Sequence, residues 1–441
     1  MREVKDSGIE WIGQIPKDWE IAPLRRFAVS KTGMTPSKDD TSLWEGTIPW
    51  ASPKDLKSDH LSDTEDHISE EALENNSLEL IEAGNVIICV RSGILRHTFP
   101  VAINDVPMTI NQDLRALTLA SNINPSFVLY YFLGMNELIL ALTRKIGTTV
   151  ESIEMEWLMN FPLILIPRNE QEITRNEQDV IVDYLDAKCA EIDKVIKAKE
   201  DLNEKLREYR QSVIYEAVTK GLDKNAKMKD SGIEWIGKIP EDWRTIRVKY
   251  ICDIDKEKLS EKTDVDYTFN YIDISSVTDV GGIGETIEME FAKSPSRARM
   301  VVKLGDIIIS TVRTYLKAIA YIEDSNKYIC STGFCVITPH EVYNKYMYYF
   351  CFCEYFIQKI VSKSVGVSYP AINSTDISNI KIVMPKNIIK QKQIADYLDK
   401  KCEEIDSLIA TNDTTIKKLK EYRQSVIYEA VTGKTVVIYS Q

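Results

Sequence analysis

Histidine is scarce in this chain: among 441 residues there are four, His60, His67, His97 and His340. No Ser/His/Asp ordering, paired carboxylates in an apolar setting or carboxylate–lysine nuclease cluster stands out. An Asn-Pro-Pro-Tyr-like loop for methyl transfer to an amino base is also missing. No apolar run approaches the roughly 18 to 20 residues that a membrane span needs. The opening MREVKDSGIEWIG has no secretory apolar core, so the expectation is a cytoplasmic protein without membrane attachment. Cysteines number eight, and the close pairs Cys330/Cys335 and Cys351/Cys353 match neither a zinc ribbon nor C-x-x-C. Buried, reduced thiols are expected, with no structural metal and no disulfide framework. Gly433-Lys434-Thr435 has the tail of a P-loop, but Tyr428 stands where the first glycine belongs. It reads as the C-cap of a helix. Gly281-Gly282-Ile283-Gly284 lacks the strand-to-helix context of a dinucleotide loop and reads as a turn. No enzyme motif stands up in the sequence.

What is present is ample apolar material, 44% of residues, enough for real cores in two or three domains. The net charge of -12 is uneven: residues 1–220 hold 24 Lys and Arg against 37 Asp and Glu, and residues 221–441 hold 31 against 30. Much of the acid lies between Asp55 and Glu82. Such a balance opposes strong nucleic-acid binding by the chain alone, since affinity for phosphates comes from Lys and Arg.

The dominant feature is an internal repeat. KDSGIEWIG at Lys5–Gly13 recurs unchanged at Lys229–Gly237, and EYRQSVIYEAVT at Glu208–Thr219 recurs unchanged at Glu421–Thr432. The block from Asp183 to Thr219 repeats without a gap at a displacement of 213 residues. Between these blocks the similarity is only in outline. GNVIICVR at Gly84–Arg91 and GDIIISTVR at Gly305–Arg313 read as buried strands opened by a turn glycine. FVLYYF and YMYYF read as helices, and LILIP and IKIVMP as strands ending before a long helix. A repeat of this length is a duplicated domain and not a solenoid.

Each long helix carries a 4-3 pattern on a charged background. The first seam reads Ile181, Leu185, Lys188, Ile192, Val195, Lys199, Leu202, Leu206, Tyr209 and Val213. The second reads Ile394, Leu398, Lys401, Ile405, Leu408, Asn412, Thr415, Leu419, Tyr422 and Val426. About 42 residues at 1.5 Å each give roughly 60 Å. The expected fold class is therefore α+β: two pseudo-twofold-related domains, each followed by a long helix, the two helices pairing as an antiparallel coiled coil. The expected boundaries are 1–167, a helix in 168–221, 222–385, a helix in 386–434, and a tail at 435–441.

The divergent regions place polar and basic residues at turns. In the first half these are Lys31, Thr32, Ser37 and Lys38; Arg91, Ser92 and Arg96; and Arg144, Lys145, Thr148 and Thr149. In the second they are Arg297 and Arg299; Arg313, Thr314, Tyr315 and Lys317; and Lys363, Ser364, Ser368, Tyr369 and Asn373. Such groups fork onto base edges or hold phosphates, and equally form ordinary solvated surface. Trp11, Trp19, Trp235 and Trp243 sit in the repeated segment, so core packing or a surface for a common partner explains them better than reading of sequence.

GIEWIGQIPKDW at Gly8–Trp19, GIEWIGKIPEDW at Gly232–Trp243, GMTPS at Gly33–Ser37, TIPWASPKDL at Thr47–Leu56 and the two YLD…EYRQSVIYEAVT helices carry a resemblance over the full length. The chain resembles the specificity subunit of Type I restriction-modification systems. That resemblance implies two target-recognition domains reading the halves of a split, asymmetric site in double-stranded DNA. The helices would act as a ruler and as docking surface for two methyltransferase subunits, with two motor-nuclease subunits completing the complex. S-adenosylmethionine, ATP and Mg would be bound by those partners, and this chain would carry no cofactor and no catalytic residue of its own. Matching surfaces for two equal partners would come from Glu208, Tyr209, Arg210 and Glu216 and their copies Glu421, Tyr422, Arg423 and Glu429. A protein-binding scaffold and an enzyme with an unfamiliar site are the competing readings.

Overall fold

The computed structural model describes residues 2–75, 78–147, 150–166, 176–278, 281–366 and 370–435. Contacts divide the chain into two units, residues 1–198 with 415–441 and residues 199–414. The division cuts both long helices, Glu177–Lys220 and Ile388–Val431. Each unit thus holds one α+β domain, the first half of the helix that follows it and the second half of the other helix.

In the first unit the continuous apolar run Val86–Cys89 forms a fully buried strand. It lies third in a five-stranded sheet ordered Ala28–Thr32, Leu114–Leu119, Val86–Cys89, Val101–Asn104 and His60–Leu61. Leu114 opposes Cys89 and Ile103 opposes Val86. In the second unit Ile307–Ser310 takes the same place in a four-stranded sheet ordered Cys252–Ile254, Phe334–Pro339, Ile307–Ser310 and Ile319–Tyr321. Gly84 and Gly305 open these strands with φ of 86° and 90°, a left-handed conformation that favours glycine. The helices Pro125–Gly134 and Asn344–Phe352 supply Phe127, Tyr131, Tyr346 and Phe350 to the cores. Among the described residues no single helix is long and apolar enough to cross a membrane. All eight cysteines are buried.

Each long helix is fastened to its own domain by a duplicated pair of contacts. The Asn124 backbone N–H donates to Gln178 Oε1 and the Tyr343 backbone N–H to Gln391 Oε1, both at 2.8 Å. The Tyr130 hydroxyl donates to Asp186 and the Tyr349 hydroxyl to Asp399, at 2.6 and 2.7 Å. Far ends of the helices are fastened to the other domain. Tyr428 donates to the Trp11 carbonyl, and Tyr215 to the Trp235 carbonyl at 3.2 Å. Trp19 and Trp243 are core residues, whereas the Trp11 and Trp235 rings are exposed. Gly433 caps the second helix with φ of 71°, as the C-cap reading expected.

The helix pairing is antiparallel in both units. In the first, Ile192 and Ile196 pack with Ile416 and Leu419, and Arg423 reaches Asp193 at 3.2 Å. In the second, Arg210 reaches Asp406 at 3.0 Å, and Lys199 donates to Asn412 at 3.0 Å. Asn412 donates to Asn203 at 2.9 Å, and Asn203 to Asp413 at 2.8 Å.

One column of the expected seam is displaced by a residue. Val195, Leu202, Tyr209, Leu408 and Tyr422 are exposed, while Cys189, Ile196, Asn203, Arg210, Cys402 and Ile416, one residue along, are buried; Asn412, in the other column, is buried as expected. Lys188 and Lys401 pair instead with Glu191 and Glu404 of their own helices. The two columns are neighbours on a helix, and the apolar identities of Val195, Leu202 and Tyr209 favour the wrong one. Asn203 and Arg210 turn inward because the other helix supplies their partners.

Replacing Ile196 by Ala should cost about 2–4 kcal/mol through the cavity it leaves, and Val195→Ala less than about 1 kcal/mol. Thermal unfolding of the two variants distinguishes the observed seam from the expected one.

Candidate nucleic-acid interface

The two domains share a backbone arrangement at the C-terminal ends of their central strands. In the first, the segment after Val86–Cys89 is laced to residues 151–153: Ile153 N donates to Val90 O at 2.8 Å and Ser92 N to Glu151 O at 3.1 Å. In the second, Ile372 N donates to Thr311 O and Arg313 N to Pro370 O, both at 2.9 Å. The bridges Arg91–Ser152 and Val312–Ala371 complete the correspondence. Each returning segment comes from a loop that leaves a core helix, Asn136–Thr143 or Glu354–Lys363.

This lacing gathers sequence-selected residues that are far apart in the chain. In the first domain Arg91, Ser92 and Arg96 lie beside Arg144 and Lys145. Arg96 Nε donates to Glu151 at 2.6 Å, and Arg144 Nη1 donates to the carbonyls of Leu95 and Arg96 at 3.2 Å. The Arg96 guanidinium holds the Glu151 carboxyl below its ordinary value. Arg91 lies 3.1 Å from Asp113, and Lys145 lies 3.7 Å from Glu154. These acids orient the cations but leave much of their surface exposed. Thr32 ends the strand Ala28–Thr32 at the same end of the sheet, opposite Arg115. Lys31 is paired with Glu79 at 2.6 Å. Ser37 and Lys38 are exposed, and the Ser37 carbonyl accepts from the Trp44 indole at 3.0 Å.

In the second domain Arg313, Thr314, Tyr315 and Lys317 lie beside Lys363 and Ser364. Arg313 and Lys317 flank a short turn with φ of 51° each, a strained conformation for side chains with a Cβ. Thr314 is buried and shares a 2.9 Å hydrogen bond with Ser364. It therefore holds the loop and does not face outward, while Tyr315 is exposed. Lys317 is 3.6 Å from Glu354, and Lys363 is 3.3 Å from Asp376. The Arg297 carbonyl accepts from Thr332 N at 2.8 Å, and its side chain lies 3.3 Å from Asp273. Arg299 stacks over Phe291 at 4.7 Å, turned to its own sheet. Asn373 precedes the short helix Ser374–Ser378 and is exposed. Thr148, Thr149, Ser368 and Tyr369 lie outside the described residues.

The helix residues selected for matching surfaces divide in two. Glu208, Tyr209, Glu216, Glu421, Tyr422 and Glu429 are exposed. Arg210 is buried against Asp406, and Arg423 is shared between Asp193 and Asp59. Their identity in the two repeats is thus explained by the helix pairing itself. Sequence patterning missed these ion pairs because each joins residues about 200 positions apart. It also passed over Ile146 and Val365, exposed aliphatic residues beside the basic loops.

A domain family described as the Type I restriction modification DNA specificity domain matches twice, over residues 16–206 and 240–421. The specificity subunit of the Type I restriction enzyme EcoR124I/EcoR124II of Escherichia coli is 32% identical over 214 residues. That alignment covers 48% of this chain and spans about half, 49%, of that relative's length. The MjaVIII and MjaIX specificity subunits of Methanocaldococcus jannaschii are each 23% identical over 96% of this chain, covering 94% and 95% of theirs. A solved chain from a study of assembly and conformational transition of the type I R-M system covers 96% of this chain and 99% of its own. Its TM-score is 0.68 at 16% identity, a likeness of fold.

Replacing Thr314 by Val removes the hydrogen bond to Ser364 while keeping the side chain's volume. Amide hydrogen exchange should quicken in residues 312–316 and 363–365, with a stability loss of about 1 kcal/mol; Tyr315→Ala should change neither.

Proposed function

The chain belongs to the family of Type I restriction modification DNA specificity domains, and on that footing we propose that it reads a split, asymmetric DNA site for a multisubunit restriction-modification complex. One domain reads each half. The observation that carries this reading is the shared lacing of the two domains, in which the same backbone bonds present different side chains. Arg91, Arg96, Arg144 and Lys145 serve one half-site, and Arg313, Lys317 and Lys363 the other, through phosphates and guanine edges. Ser92, Ser364 and Tyr315 lie at the same loops.

The paired helices set the distance between the half-sites and dock two methyltransferase subunits. Glu208, Tyr209 and Glu216, with Glu421, Tyr422 and Glu429, present one surface twice, as two equal partners require. The exposed Val195, Leu202 and Leu408 add apolar area to it. Two motor-nuclease subunits join through the assembled complex in the cytoplasm. Methyl transfer and cleavage belong to those partners, which bind S-adenosylmethionine, ATP and Mg, and this chain is not catalytic. Partner cations near the DNA also reconcile a net charge of -12 with phosphate binding.

Methylome sequencing of cells expressing the chain with its methyltransferase partner should reveal a split, asymmetric motif. Exchanging residues 1–166 for another family member's first domain should alter one half of that motif. A folded complex that methylates no defined motif, or an exchange that alters both halves, contradicts the reading. In the assembled complex, Lys145→Ala should reduce the slope of log affinity against log salt by about 1, measured by titrating a labelled duplex at several ionic strengths.

A further inference from the structure

The basic loops end in a feature that their charge does not explain. Ile146 follows Arg144 and Lys145 and precedes Gly147; Val365 follows Lys363 and Ser364 and precedes Gly366. Among the described residues the two are the most exposed large apolar ones, at 79% and 80%. Each stands six residues before the residue bridged to the end of a central strand, Ser152 or Ala371; Ile146 follows the paired strand Arg144–Lys145, and Val365 is itself bridged to Ala371. The domains share little sequence here, yet each places a branched aliphatic side chain, then a glycine, beside its cations. Leaving that much apolar surface in water gives no stability to the fold.

We infer that Ile146 and Val365 are apolar reading tips, each pressing against the C5 methyl group of a thymine in the major groove of its own half-site. The inference rests on the DNA-recognition reading above. An aliphatic side chain forms no hydrogen bond, and the thymine methyl is the apolar feature of the major-groove base edges. A two-stranded β-ribbon fits that groove. The antiparallel pairs Arg144–Ile153 and Lys145–Ser152 form such a ribbon at the base of the first loop, and Val365 bridges Ala371 antiparallel in the second domain. Phosphates flanking the groove attract the neighbouring Arg91, Arg96, Arg144 and Lys145, or Arg313, Lys317 and Lys363. Cations thereby position the loop, and the aliphatic tip discriminates a methylated pyrimidine edge.

The test uses the full chain in complex with its methyltransferase subunits and a labelled duplex carrying the methylated motif. Deoxyuridine replaces each thymine of the motif and its complement in turn, deleting one methyl group. A buried methyl contributes about 0.8 kcal/mol, or about a fourfold change in affinity. One replacement in the first half-site should weaken the wild-type complex by about that factor. Ile146→Ala should weaken binding to the unmodified duplex by about tenfold and be indifferent to that replacement. Val365→Ala should behave likewise for one thymine of the second half-site only. Equal sensitivity of variant and wild type to deoxyuridine, or unchanged affinity of both variants, overturns the inference. Preference of the wild-type complex for its motif over a scrambled duplex, read in the same titration, tests the recognition reading separately. Since both residues are exposed, the variants should melt with the wild type, which circular dichroism checks.

Discussion

The ion pair between Arg210 and Asp406 and its copy between Arg423 and Asp193, each residue 213 positions from its counterpart, fix how the long helices meet. A guanidinium turned into a helix–helix seam is costly unless a carboxylate meets it there, and removing one partner leaves a charge without compensation. A one-residue slip of either helix would strand both arginines. The thiols of Cys189 and Cys402 lie in the same seam, pushed up to about 11 by burial. They stay neutral and leave the charges to pair with one another. Between the ion pairs, Lys199, Asn412, Asn203 and Asp413 form a polar layer. Such layers lower stability relative to apolar packing and raise specificity of register. The layer is not duplicated: the counterpart of Asn203 is Ile416, packed with Ile192 and Ile196.

Each domain is tied to both helices, and the ties explain the distribution of identity along the chain. Gln178 and Asp186 hold the start of one helix as Gln391 and Asp399 hold the start of the other. The repeated Tyr–Trp contacts then join each far end to the other domain. Residues with these duties recur unchanged. The loops laced to Val90–Ser92 and Thr311–Arg313 share their backbone bonds but use different side-chain ties, Arg96 with Glu151 in one and Thr314 with Ser364 in the other, so their side chains differ. Proposed recognition lies where the framework is shared and the identities are not.

The sequence made the duplicated plan legible because exact repeats and buried strands leave local marks: an apolar run, a turn glycine, a proline before a helix. Half of each helix seam was legible for the same reason, through Leu185, Ile192, Leu398 and Ile405. The other half was not, because Asn203 and Arg210 look like surface residues until Asn412, Asp413 and Asp406 are brought to them. The basic loops were legible as types of residue. That Arg96 lies beside Arg144, or Thr314 beneath Ser364, depends on strand lacing across some 50 residues. Ile146 and Val365 escaped notice because an isolated exposed aliphatic residue is common; its meaning comes from recurring at the same place in both domains.

The central claim is that the paired helices set the separation of the two half-sites. Adding one heptad to each helix, between Ile196 and Lys199 in the first and between Ile409 and Asn412 in the second, keeps the seam in phase. It lengthens the pair by about 10 Å, and methylome sequencing should show the same half-sites separated by about three more base pairs. An active complex whose spacer is unchanged would contradict the account.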